Sequence, residues 1–148
     1  MTISEQLTED MKTSMKAGEA DRTAVLRLLR GAMKNEEIKT QQPLSEPEML
    51  KVLQREAKQR RDSIEAYRVA GRQDLREQEE RELAVIATYL PEAMSEAELK
   101  QIVDAVMTET GAASPAAMGM VIGKVMAQVG ARAEGGVVSR LVRERLVS

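Results

Sequence analysis

Cysteine and histidine are both absent from this chain of 148 residues. Without cysteine there is no disulfide, no thiolate nucleophile and no thiolate metal site. Without histidine the usual general base near neutral pH and the commonest transition-metal ligand are missing, and a Ser-His-Asp triad is excluded. Serines are present, but none stands in G-x-S-x-G or S-x-x-K, which closes the familiar routes to an activated serine. Phenylalanine and tryptophan are absent too, and Tyr67 and Tyr89 are the only aromatic side chains. The core must therefore be aliphatic, filled by ten methionines with Leu, Val and Ala. With these routes closed, no catalytic residue, cofactor or metal is expected of the chain.

Apolar residues make up 43% of the chain and charged residues 31%, with a net charge of -2, as expected of a globular protein of one ordinary domain or two small ones. The first residues show no basic, apolar and small-residue succession of the secretory type, so the chain reads as cytoplasmic. The most apolar window, 111–130, contains Pro115, Lys124, Gln128 and four glycines. A bilayer-spanning helix wants about 20 mostly apolar residues. The window reads instead as a helix buried on most sides in a small bundle, with no membrane partner.

The same window holds Gly119 and Gly123-Lys124, which resemble a phosphate-cradling loop. A P-loop requires G-x-x-x-x-G-K-[ST], four residues between the glycines and a hydroxyl after the lysine to ligate magnesium. Here three residues intervene and Val125 follows Lys124. Gly119, Gly123 and Ala127 instead recur every four residues, which stacks them on one helix face and predicts close packing of another backbone there.

Start and stop signals predict an all-α chain. Capping boxes stand at Thr2-x-x-Glu5, Ser45-x-x-Glu48 and Ser95-x-x-Glu98, and Pro47 suits a first helical turn. The first helix carries Ile3, Leu7, Met11 and Met15 on one row and runs to Gly18. The second covers 21–39, with Val25, Leu29, Ala32 and Met33 inward, and "QQP" ends it. The third ends near Gly71; the fourth is opened by Asp74-x-x-Glu77 and stops before Pro91. Short turns make neighbours antiparallel, so 1–90 reads as an up-down bundle of four helices. Residues 95–148 read as a smaller three-helix domain, with Leu99, Ile102, Val103 and Val106 facing inward, a helix starting at Ser114-Pro115 and a last helix after Gly135-Gly136.

"LRLLRGAMKNEEI", "KQRRDSIEAYRVAGRQDLREQEEREL", "YLPEAMSEAEL" and the C-terminal stretch together resemble the YqeY family across nearly the whole chain. Members of that family are similar to the tail of the GatB component of the glutamine-dependent Asp/Glu-tRNA amidotransferase, so 95–148 is expected to be a GatB/YqeY-like domain. The resemblance implies tRNA as a partner, and a tRNA amidotransferase or an aminoacyl-tRNA synthetase beside it. It does not bring catalysis. In the amidotransferase, phosphoryl activation and amide transfer belong to a separate domain, so a carbon-nitrogen ligase label rests on homology alone. Met120 stands where the family often has a lysine.

Charge falls in blocks. Residues 111–148 carry a net +3, 91–110 a net -4, and 51–72 a net +4. Two basic stretches on a slightly acidic chain allow local RNA contact without general stickiness. At 100 degrees per residue, Val138, Leu141, Val142 and Leu146 share one arc of the last helix, with Arg140 and Arg143 opposite and Arg145 snorkelling from the apolar edge. Arg132, Arg140, Arg143 and Lys124 are the candidate RNA contacts. Lys58, Arg61, Arg68 and Arg72 form a secondary basic face on the third helix. A plainly solvated face is the alternative reading of both sets. With so little to stack on bases, any RNA contact would rest on backbone and shape. The mixed charge of the third and fourth helices and the methionine-rich faces fit a second function class, a helical protein-protein adaptor with no nucleic-acid role.

Overall fold

The structure, a computed structural model, describes residues 1–147. Among them seven α-helices follow one another and no strand occurs: α1 (Ile3–Lys16), α2 (Ala20–Thr40), α3 (Glu46–Ala70), α4 (Gln73–Ala87), α5 (Glu96–Thr110), α6 (Met118–Val129) and α7 (Gly135–Val147). The all-α expectation holds. All three capping boxes form. The hydroxyls of Thr2, Ser45 and Ser95 accept from the N–H groups of Glu5, Glu48 and Glu98 at 3.1, 3.3 and 3.1 Å, and each glutamate accepts in return from the N–H of its cap. Each box satisfies two backbone donors that a helix start leaves free.

Two starts differ from expectation. α4 is not capped by Asp74: it begins at Gln73 and has no side-chain cap. Gly71 adopts a left-handed φ of 70°, its N–H donates to the Arg68 carbonyl and that of Arg72 to the Tyr67 carbonyl, so the chain reverses within two residues. Asp74 then lies inside the first turn, where the Arg72 guanidinium and the Leu75 N–H hold its carboxyl below the usual range. Ser114-Pro115 opens a single 3-10 turn, Pro115–Ala117, and α6 proper begins at Met118.

The helices gather into two compact units that meet in sequence at Leu90 and Pro91. In the first, α1 packs on α2 and α3 on α4, while α2 also meets α3 and α4. Leu7, Leu26, Leu29, Leu53 and Ile86 are fully buried at its centre. In the second, α5, α6 and α7 enclose Val103, Val106, Val121, Val125, Val138 and Val142. A fully buried Leu or Val contributes about 1.5–3 kcal/mol. Methionine is not the main filler expected: only Met33, Met49 and Met107 are buried. Met15 is 53% exposed, because a row spaced by four advances about 40° per step and has left the buried face by its fourth member. Ser14 turns inward instead and shares a 2.7 Å hydrogen bond with Thr23 of α2.

Polar ties fix how the helices of the first unit meet. The Ile3 N–H donates to Glu46 of α3 at 3.0 Å, and the Tyr89 hydroxyl donates to Asp10 of α1. Burial, and the Asp10 carboxylate beside it, push the Tyr89 phenol above its ordinary value. Arg60 of α3 is only 7% exposed, donates to Glu56 one turn back and reaches Glu82 of α4 at 3.4 Å. Removing one partner of a buried pair costs about 3–5 kcal/mol, because the other charge stays behind uncompensated. Arg60→Met should therefore lower unfolding stability in urea by about 3 kcal/mol, and adding Glu56→Gln and Glu82→Gln should recover most of that loss. A neutral single change would show that the cluster does not hold α3 to α4.

Candidate functional site

α5 and α7 lie against each other in the second unit, and their charges interlock. α7 buries Val138, Leu141, Val142 and Leu146, the arc expected, which leaves Arg140 and Arg143 in solvent. Arg140 pairs with Glu96 at the start of α5 and with Glu144 on its own helix at 3.2 Å. The hydrogen bonds it donates to Glu144 and Glu96 raise its already high pKa. The head of Arg145 emerges from the edge of the apolar arc to meet Asp104 of α5 at 2.8 Å. Arg132, in the 3-10 turn Gly130–Arg132 after α6, donates to the Glu92 carbonyl at 3.0 Å and comes within 4.0 Å of Glu98. Its own carbonyl accepts from the Met94 N–H at 2.9 Å. The acidic block at 91–110 thus faces the basic block at 111–148 within one unit.

Two of the four expected RNA-facing residues stand outside this network. Arg143 and Lys124 are exposed and, among the described residues, form no ion pair. The secondary basic face is more fully engaged. Lys58 pairs with Asp62 at 3.1 Å, Arg68 with Glu65 at 2.6 Å and Arg72 with Asp74 at 3.4 Å. Arg61 also has a partner, and partial burial lowers its pKa.

The row Gly119, Gly123 and Ala127 is exposed, and a Cβ at either glycine would meet nothing within 4 Å. The close packing expected on that row is therefore not formed. α6 is also not buried on most sides: Val121, Val125 and Val129 make a parallel row of larger side chains that takes the core, leaving the small row outward beside Met120, Lys124 and Gln128. The signal was legible, since two rows spaced by four compete for one core and the more apolar wins. The missed residue is Arg60, which reads in sequence as one more cation on a charged helix.

A family model described as Yqey-like protein matches residues 4–146. This chain belongs to the YqeY family. A yeast relative, Altered inheritance of mitochondria protein 41, mitochondrial, of Lachancea thermotolerans, is 35% identical over 112 residues, which cover 74% of the YqeY chain and 60% of the relative. The chain thus spans 60% of the length of that curated relative. Among the described residues no helix of this YqeY protein is long and apolar enough to cross a membrane, and no group of three or more acidic side chains could hold a metal ion.

Exposed ion pairs add little to stability, because solvent screens them and ordering long side chains opposes them. Glu96→Gln together with Asp104→Asn should therefore leave the thermal midpoint nearly unchanged while releasing one partner each of Arg140 and Arg145. A large drop would mean that these pairs, and not the valine core, fix α5 on α7.

Proposed function

We propose that this YqeY protein is a non-catalytic tRNA-associated module whose C-terminal unit meets the tRNA backbone, assisting tRNA amidation beside a tRNA amidotransferase or an aminoacyl-tRNA synthetase. The observation that carries the reading is the exposed charge of Lys124 and Arg143, which, like Lys100 of α5, form no ion pair among the described residues, in a unit whose other arginines are engaged by acids. Lys124 borders the bare row of Gly119, Gly123 and Ala127, over which a sugar-phosphate strand can approach the helix without displacing side chains. Arg132 and Arg140 join by exchanging exposed carboxylates for phosphates, a substitution of one weak, solvated pair for another. The likeness of the family to the GatB tail of the amidotransferase supports the same reading. No amide transfer is ascribed to this chain, and a cytoplasmic setting goes with the proposal.

A helical protein-protein adaptor is the second reading, and one observation favours it. Met120 is 46% exposed next to the bare glycine row, in the place where the family often carries a lysine, and a polarizable side chain beside a flat helix face suits a partner helix.

Salt dependence separates the two. Lys124→Gln with Arg143→Gln should weaken binding of unfractionated tRNA, and the slope of log affinity against log salt should become shallower by about 0.7–0.9 for each phosphate released. Different tRNAs should lose affinity about equally, since phosphate contacts position without reading bases. An unchanged affinity and slope would transfer the C-terminal surface to the adaptor reading.

A further inference from the structure

The segment "LRLLRGAMKNEEI" lies in α2 of the first unit, and its cations stand in a different environment from those of α3. Arg27, Arg30 and Lys34, at positions i, i+3 and i+7, fall within a narrow arc of α2. Together with Ser4 and Thr8 of α1 they line an open groove between the two helices of about 470 Å³. Gly31 sits among them and is not in a left-handed conformation; a Cβ there would meet nothing within 4 Å, so the space above it is free.

Arg30 decides what the groove suits. The Thr8 hydroxyl donates to the Ser4 carbonyl at 3.1 Å and accepts from Arg30 Nε at 3.1 Å, while Arg30 Nη1 reaches the Met11 sulfur at 3.4 Å. The guanidinium is thus half-buried, oriented by α1, and held only by neutral atoms, one of them a weak acceptor. Arg60, the buried arginine of this unit, has two carboxylates, and the part-buried Arg22 and Arg76 each lie within 4.0 Å of one. Among the described residues neither Arg30, Arg27 nor Lys34 forms an ion pair, and Glu37, the one carboxylate on the groove wall, pairs with none of them. A positioned guanidinium with free N–H donors, flanked by two exposed cations and floored by a glycine, is complementary to a tetrahedral oxyanion.

We infer that the α1–α2 groove is a phosphoryl-binding site. Arg30 is the fixed donor, Arg27 and Lys34 close over the anion, and the absent side chain at Gly31 makes room for it. The phosphoryl group comes either from a phosphodiester strand or from a free phosphate compound. The site belongs to the first unit and does not rest on the C-terminal reading.

Two probes on the full chain distinguish the sources: inorganic pyrophosphate by calorimetry, and a short fluorescein-labelled oligouridylate by anisotropy at graded salt. Gly31→Gln keeps every charge, adds a good helix former where space is open, and should block the groove by volume. Arg27→Gln with Lys34→Gln keeps the volume and removes two exposed charges. Both variants should retain the melting behaviour of the parent protein, and each should weaken the probe that binds by about tenfold or more. For the oligonucleotide, the charge variant should also reduce the salt slope by about 0.7 for each phosphate released. Pyrophosphate binding that both variants abolish assigns the site to a free phosphate compound. Oligonucleotide binding that both variants weaken, without pyrophosphate binding, assigns it to a strand. If neither probe binds, or if binding is indifferent to both variants, the inference is overturned. Lys124→Gln with Arg143→Gln is the control: it should leave pyrophosphate binding untouched, so failure here and failure of the C-terminal reading give different results.

Discussion

Both units depend on burying a narrow aliphatic stripe from each helix, with no disulfide to add to it and only Tyr89, at the edge of the first core, as an aromatic contribution. A domain of this size buries a modest share of its surface and is marginally stable, so each core is built from Leu and Val packed to exclusion of solvent. The stripe decides everything outside it. Once Val121, Val125 and Val129 take the core side of α6, the small row must face outward, and once Val138, Leu141, Val142 and Leu146 take that side of α7, the arginines must as well.

Aliphatic stripes are poor at fixing register, because one methyl-lined face fits another in several ways. Polar ties supply what the core leaves loose: the Ser14–Thr23 and Tyr89–Asp10 hydrogen bonds, and Arg60 between Glu56 and Glu82, in the first unit. In the second, exposed pairs from α5 to α7 add little energy and act mainly on electrostatics. They neutralise much of the basic block that composition alone would offer to an anion. The bare charge of a segment is thus a weak guide to its partner, whereas the charge left after pairing is a better one. By that measure the face of Lys58, Arg68 and Arg72 recedes, and Lys124, Arg143 and the row of Arg27, Arg30 and Lys34 come forward.

Local signals were legible in the sequence because their causes are local. A capping box is settled within four residues, and Thr2, Ser45 and Ser95 cap the helices expected of them. The apolar arc of α7 followed from 3.6-residue periodicity for the same reason. What depends on a neighbouring helix was not legible. Asp74 looks like a cap until the reversal at Gly71 places it inside the turn. Arg60 looks solvated until α4 brings Glu82 to it. The engagement of Arg132 and Arg140 needs the positions of Glu98 and Glu96, which lie on another helix, and the hold of Thr8 on Arg30 needs α1 laid on α2.

The central claim is that unpaired cations, rather than basic stretches as such, mark the surfaces that meet phosphate. Backbone amide shifts of the isotopically labelled full chain, followed by NMR as unfractionated tRNA is added, test it most directly. The account predicts perturbation around Lys124 and Arg143, and around Arg27, Arg30 and Lys34 if that groove takes a strand, with α3 between Lys58 and Arg68 unmoved. Perturbation centred on α3, or none anywhere, would contradict it.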